Sequence, residues 1–185
     1  MCNAVFKAEY YVGQGVRGRK YMILGEPAKF AIVFDVVKEW NTDLSFNNGV
    51  LMISVDWKVY PGNEIVNATL NFEIPNLKDC MSNIGVDEQL FELSKDEAFT
   101  KMYDLRFPED WDVDEDYRFD ISPEIFSDND CLIFAVSNGT QVRVLASTNL
   151  EYIKTESRYN LENIEISETY ISIEEWNEIL SKLDI

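Results

Sequence analysis

Carboxylates carry most of the chemistry available to this chain, because histidine is absent: 34 Asp and Glu stand against 16 Lys and Arg, for a net charge of −18 over 185 residues. Without histidine there is no Ser-His-Asp triad, no Cys-His pair and no imidazole metal ligand. Enzymatic chemistry would have to rest on paired carboxylates or on Lys and Tyr. An acid/base dyad needs two carboxylates in one cleft with separated pKa values, and the acids here are too numerous for the sequence to single out such a pair. The sequence therefore supplies no catalytic residue, no metal ligand and no cofactor, and a carboxylate-based hydrolase stands only as a rival reading.

The acids are unevenly placed. Residues 1–40 carry six bases and four acids, whereas residues 41–185 carry ten bases and thirty acids. The densest stretch, Glu109 to Asp130, holds ten acids and one base, Arg118. Its run Asp110-Trp-Asp-Val-Asp-Glu-Asp116 begins like a calcium loop, but an EF-hand requires Gly at its sixth position and Glu at its twelfth. Counting from Asp110 gives Glu115 and Ile121, and counting from Asp112 gives Tyr117 and Pro123. Neither register fits.

The same run has a second use. Acids interleaved with Trp111, Tyr117 and Phe119 combine negative charge with aromatic anchors, the usual energetic shape of a tight interface. Such a surface repels nucleic acid and anionic membranes, attracts a basic protein, and suits the cationic groove of a nucleic-acid enzyme. Asp110, Trp111, Asp112, Asp114, Glu115, Asp116 and Tyr117 are the expected partner-binding residues. Two alternatives stand beside them. One is a solvated loop whose aromatics pack back on the core; the other is a contact surface on the C-terminal helix, with Glu174, Glu175 and Glu178.

Gly13-Gln-Gly-Val-Arg-Gly18 matches the dinucleotide fingerprint, but Gly25 and Pro27 follow too closely for the helix that must hold a pyrophosphate. A glycine-rich hairpin loop with basic flanks (Arg17, Arg19, Lys20) is the better reading.

Alternation at period two predicts strands over 4–12, 51–59 and 66–74. Phe30–Val37 and Cys131–Val136 are apolar on both faces and are expected centrally in the sheet. Asn138-Gly139 marks a hairpin between Cys131–Val136 and Gln141–Ser147, and Ile164, Ile166 and Tyr170 mark a last strand. Capping boxes at Ser94/Glu97 and Ser172/Glu175 open two helices, near 95–106 and 173–183; the second is amphipathic and is expected to dock on the sheet. The fold expected is a single α+β domain spanning 1–185, with a mainly antiparallel sheet of about six or seven strands and flanking helices. Three cysteines without a CxxC pair, no basic-then-apolar leader and no long apolar run point to a reduced, cytoplasmic chain. Self-repulsion at this charge favours a monomer.

Met22-Ile-Leu-Gly-Glu-Pro-Ala-Lys-Phe-Ala-Ile32 with Trp40, then Asp79-Cys-Met-Ser-Asn83, Leu90-Phe91, Arg106-Phe-Pro108 and Val142-Arg-Val-Leu145, resemble the immunity protein 42 family over about residues 22–150. Members of that family begin near Met22, so residues 1–21 read as an extension that adds a strand. The resemblance implies an immunity protein of bacterial polymorphic-toxin or contact-dependent inhibition systems. Such a protein has no catalysis of its own and blocks one cognate toxin domain. The acidic surface makes a basic nuclease the expected toxin. A general acidic interaction module without a toxin partner is the other reading.

Overall fold

The computed structural model of the protein describes residues 21–41, 46–62, 65–110, 112–155 and 157–184. The expected strand at 4–12, the Gly13–Gly18 loop, Cys2 and Trp111 lie outside the described residues.

The chain opens with an antiparallel hairpin of β1 (Tyr21–Gly25) and β2 (Phe30–Val36), and β2 pairs in turn with β3 (Asn48–Val55). β4 (Lys58–Tyr60) and β5 (Asn67–Thr69) pair with opposite ends of β3, completing a five-stranded sheet. Helices α1 (Leu70–Ser82), α2 (Glu88–Glu92), α3 (Lys95–Arg106) and the short α4 (Glu124–Ser127) follow. Strands β6 (Leu132–Ser137) and β7 (Gln141–Ser147) form the Asn138-Gly139 hairpin. β8 (Glu151–Ile153) and β9 (Arg158–Asn160) make a separate two-stranded ribbon. β10 (Ser167–Ser172) joins β7, and α5 (Ile173–Lys182) closes the chain. The architecture is α+β with antiparallel pairing in every ladder. The strands are divided among three sheets rather than gathered into one of six or seven.

The three-stranded sheet, in the order β10-β7-β6, lies between two apolar layers. Its Ile133, Ala135, Val142, Val144 and Ala146 face a core shared with the five-stranded sheet, α1 and α5. Its Leu132, Phe134, Val136 and Leu145 face a second core made with α2, α3, Phe119, Leu150 and Ile166. The Tyr60 hydroxyl donates to the Ala146 carbonyl at 3.1 Å, tying the two sheets across the first core.

Three expectations need correction. Alternation over 51–59 predicted one strand, but Asp56 and Trp57 form a tight turn with φ of 48° and 67°. Val55 then pairs with Lys58, so the inward face passes from odd to even numbers. Tyr60 is buried, whereas Trp57 is 73% exposed and Val59 45%. The turn is held from behind, because the Asp56 and Trp57 N–H groups donate to the carbonyls of Lys29 and Pro27.

The strand predicted at 66–74 ends after Thr69. Leu70, Ile74, Leu77 and Met81 are all buried along one face of α1, so helical burial overrides the alternation and Phe72 turns outward. Third, β6 lies at a sheet edge rather than centrally. It is nonetheless fully covered, because Phe119, Ile121 and Val86 pair or bridge along that edge and α3 packs on its second face. In α3, Ala98, Phe99, Met102 and Tyr103 are buried in the second core, and Leu105 packs against it partly buried.

Both predicted capping boxes are formed, and α5 docks as expected. Trp176 is 1% exposed, its ring 5.4 Å from that of Phe30, and its indole N–H donates to the Met81 carbonyl at 2.9 Å. Glu73 of α1, 5% exposed, accepts the backbone N–H groups of Glu124 (3.0 Å) and Ile125 (3.2 Å), capping α4 from another segment of the chain. Burial outweighs those two bonds and holds its carboxyl above the ordinary 4.5. Cys80 is exposed and Cys131 buried, and both are free thiols.

Two stability predictions follow from these contacts. Trp57→Gly relieves a left-handed conformation at an exposed site, so urea denaturation should show it unchanged to about 1 kcal/mol more stable. Trp176→Ala opens a cavity and orphans a carbonyl, and the same titration should show a loss of about 3–5 kcal/mol.

Candidate functional site

Pro108 follows the last turn of α3, and the acidic segment begins there. The segment is pinned at both ends. The Asp116 N–H donates to the Leu105 carbonyl (2.8 Å), satisfying one of the acceptors a helix end leaves open. Downstream, Phe119 is buried in the second core, its carbonyl accepts the Ala135 N–H (2.8 Å), and the Ile121 N–H donates to Ile133 (3.0 Å). The contact with Gly85 is close enough that a Cβ there would stand 2.4 Å from Phe119 Cε1.

Between these anchors, arginines take up much of the charge. Arg106 donates through Nε to Asp120 (3.1 Å) and through Nη1 to Glu115. Its guanidinium lies 3.9 Å from the Tyr117 ring centroid and 4.5 Å from that of Phe107, a cation held between two rings. The Tyr117 hydroxyl donates to the same Glu115 oxygen. Arg118 grips Asp116 with Nε (3.0 Å) and Nη2 (2.7 Å), the paired geometry a guanidinium favours. Arg158 of β9 reaches Asp104 at 2.9 Å and also Glu109.

Titration follows the geometry. The Tyr117 hydroxyl, and after it Arg106, hold the Glu115 carboxyl below its ordinary 4.5. Arg118 does the same for Asp116, below 3.8. The Glu115 carboxylate raises the Tyr117 phenol in return.

The expected partner-binding residues thus divide. Glu115, Asp116 and Tyr117 belong to a network fixed by Arg106 and Arg118. Asp110, Asp112 and Asp114 are exposed and have no ion pair among the described residues. The Asp110 carboxylate accepts the Asp112 N–H at 3.0 Å, a local turn. Val113 (54%) and Tyr117 (58%) are exposed beside them. Phe119, counted with the interface aromatics, is instead the buried anchor, so the packed-back alternative holds for that ring and not for Tyr117.

The C-terminal helix presents less. Glu175 accepts Lys29 Nζ (3.0 Å) and the Ser172 N–H (2.9 Å), and Glu178 pairs with Lys182, leaving Glu174 without an ion pair among the described residues. Sequence reasoning missed Arg106 and Arg158 as partners of the acids. Arg106 had a signal in the Arg106-Phe-Pro108 motif at the end of α3; Arg158 had none, lying 49 residues from Glu109. Among the described residues no group of three or more Cys, Asp or Glu is placed to hold a metal ion, and no helix is long and apolar enough to cross a membrane.

A family model described as immunity protein 42 matches residues 22–185, reaching the C-terminus rather than fading near 150. The crystal structure of CdiI from Burkholderia dolosa AUO158 is similar, with a TM-score of 0.70 and 24% identity over 87% of this chain and 97% of that one. The likeness establishes the fold. None of the curated proteins matches the chain.

The network sets a titration with a defined sign. Both carboxyls are depressed, so their support for the loop is present above the ordinary 4.5 and 3.8 and is lost as pH falls through the lowered values. Carboxyl ¹³C shifts should place the Glu115 midpoint below 4.5. Tyr117→Phe should raise that midpoint more than Arg106→Ala does, and a midpoint indifferent to both would mean that the network does not form.

Proposed function

Because the chain belongs to the immunity protein 42 family over residues 22–185, we propose that it is a non-enzymatic inhibitor that binds and neutralises a cognate bacterial toxin domain, acting in the cytoplasm as a monomer until the complex forms. The toxin is a basic nuclease. Its substrate groove is covered by an acidic surface built from Asp110, Trp111, Asp112, Asp114, Glu115, Asp116 and Tyr117, with no nucleic acid or membrane as a direct ligand.

Family membership carries the immunity role. Asp110, Asp112 and Asp114, exposed and without an ion pair among the described residues, together with the exposed Tyr117 support the choice of surface and the basic character of the partner. Their charge steers encounter, whereas the ring beside them, already stacked on Arg106, loses little freedom on docking and so favours slow release. Glu115 and Asp116 hold that ring and loop in place rather than meeting the partner's cations first, since arginines already occupy them.

The direct test is co-expression with the toxin domain encoded immediately upstream, scored by survival and co-purification. Rescue with a stable complex is expected. Neither rescue nor complex, with both proteins folded, would favour the general acidic interaction module. For the surface, reversing Asp110, Asp112 and Asp114 to lysine should lower the association rate on the order of ten-fold or more at low salt and flatten its salt dependence. Unchanged kinetics would move the site elsewhere on the molecule.

A further inference from the structure

β8 and β9 stand apart from the two larger sheets. Among the described residues they pair only with each other, and none of their residues is fully buried. A two-stranded ribbon is marginal by itself in water, so this one is held by contacts with the rest of the chain. The side-chain contacts of β9 lead to α3 and to the acidic stretch. The Tyr159 N–H donates to the Tyr103 hydroxyl at 2.7 Å, and the Tyr159 hydroxyl donates to Asp130 at 3.0 Å. Arg158 joins Asp104 to Glu109. The ribbon is thus fastened to both the first and the last acid of the stretch from Glu109 to Asp130.

The rings follow the same path. Tyr152 meets Tyr159 at a steep angle with centroids 5.3 Å apart, Tyr159 meets Tyr103 at 6.5 Å, and Tyr103 meets Phe107 at 5.0 Å. Arg106 then lies between Phe107 and Tyr117. One strip of rings therefore runs from Tyr152, 48% exposed, to Tyr117, and its middle members are buried or half-buried.

Along this strip, rings and carboxylates hold guanidinium groups together. Arg106 is held by Tyr117, Phe107, Glu115 and Asp120, and Arg158 lies 5.3 Å from the Tyr103 centroid while it pairs with Asp104 and Glu109. The side chains of Asp104 and Glu109 nevertheless stay 49% and 80% exposed. Tyr152, at the open end, carries no cation among the described residues. Size points the same way. A stable protein complex buries about 800 Å² on each partner, from roughly 20–30 residues. The short acidic segment is too small for that, so a surface that includes it must continue onto an adjoining element.

Resting on the reading that a basic toxin domain docks at the acidic segment, we propose that the β8–β9 ribbon is the second half of the same interface, with Tyr152 as its anchor for an arginine of the partner. A planar guanidinium stacks on an aromatic face better than an ammonium does, as Arg106 already shows on Tyr117. The aspartates then govern encounter, and the ribbon governs release.

Dissociation from the toxin domain encoded immediately upstream tests this. Tyr152→Ala should leave the urea midpoint unchanged and release that domain at least ~10-fold faster. Tyr152→Phe keeps the ring face and should stay within ~3-fold of the unmodified protein. Tyr152→Leu keeps an apolar contact with Tyr159 but no ring face, and should release as fast as Tyr152→Ala; it is the variant read if Tyr152→Ala lowers the urea midpoint. Unchanged release in all three, with charge reversal at Asp110, Asp112 and Asp114 still slowing association, would overturn the ribbon's part and leave docking at the acidic segment standing. Tyr152→Leu releasing as slowly as Tyr152→Phe would overturn the arginine contact. No complex with the unmodified protein would overturn both readings.

Discussion

β6 and β7 keep almost no residue in water: Leu132 to Ser137 and Val142 to Ser147 are all buried. A strand pair of that kind needs apolar cover on both faces, and the rest of the chain is arranged to provide it. The five-stranded sheet with α1 and α5 covers one face, and α2 and α3 with Phe119 cover the other. A charged residue nevertheless sits inside. Arg143, 2% exposed, donates to the carbonyls of Phe91 (2.7 Å) and Leu93 (2.8 Å) and pairs with Glu168. Its fork thereby fixes the end of α2 against the sheet. A buried cation is tolerated when every donor is used in this way.

The acidic segment depends on the same arrangement. It exists as a shaped loop because α3 delivers Arg106 to one end and the covered β6 edge receives Phe119 at the other. The net charge of the chain therefore overstates what a partner would meet at this place. Arginines already lie on Glu109, Glu115, Asp116 and Asp120, and what remains outward is a small group of aspartates beside a ring whose orientation is set. Under the proposed function this separates duties: some acids shape the surface, and others are left to attract the partner.

Much of this was readable in the residues. The capping boxes, the Asn138-Gly139 hairpin and the two-faced strands gave correct elements because each signal is local and its physics is complete within a few residues. The failures share a cause. Period-two alternation ran through Asp56-Trp57 because a two-residue turn exchanges the parity of the inward face, which only pairing partners reveal. It also ran into α1, where Leu70 and Ile74 satisfy both a strand's spacing and a helix's, and where Pro75 lies inside the helix that formed. The acids of 109–117 could be counted from the sequence, and Arg118 with them, but Arg106 and Arg158 come from α3 and β9, and no local pattern announces a contact across 49 residues.

Glu73 gives the molecule a proton linkage opposite to that of the acidic loop. Its carboxyl titrates above 4.5 in the folded state, so its ionisation works against folding: its favourable contribution is whole below that value and disappears as pH rises through the folded one. Glu73 gains that contribution as pH falls towards the ordinary 4.5, whereas Glu115 and Asp116 withdraw their support only as pH falls below the ordinary 4.5 and 3.8. Acidification thus favours the junction of α1 and α4 before it loosens the acidic loop, so the loop and the scaffold need not fail together.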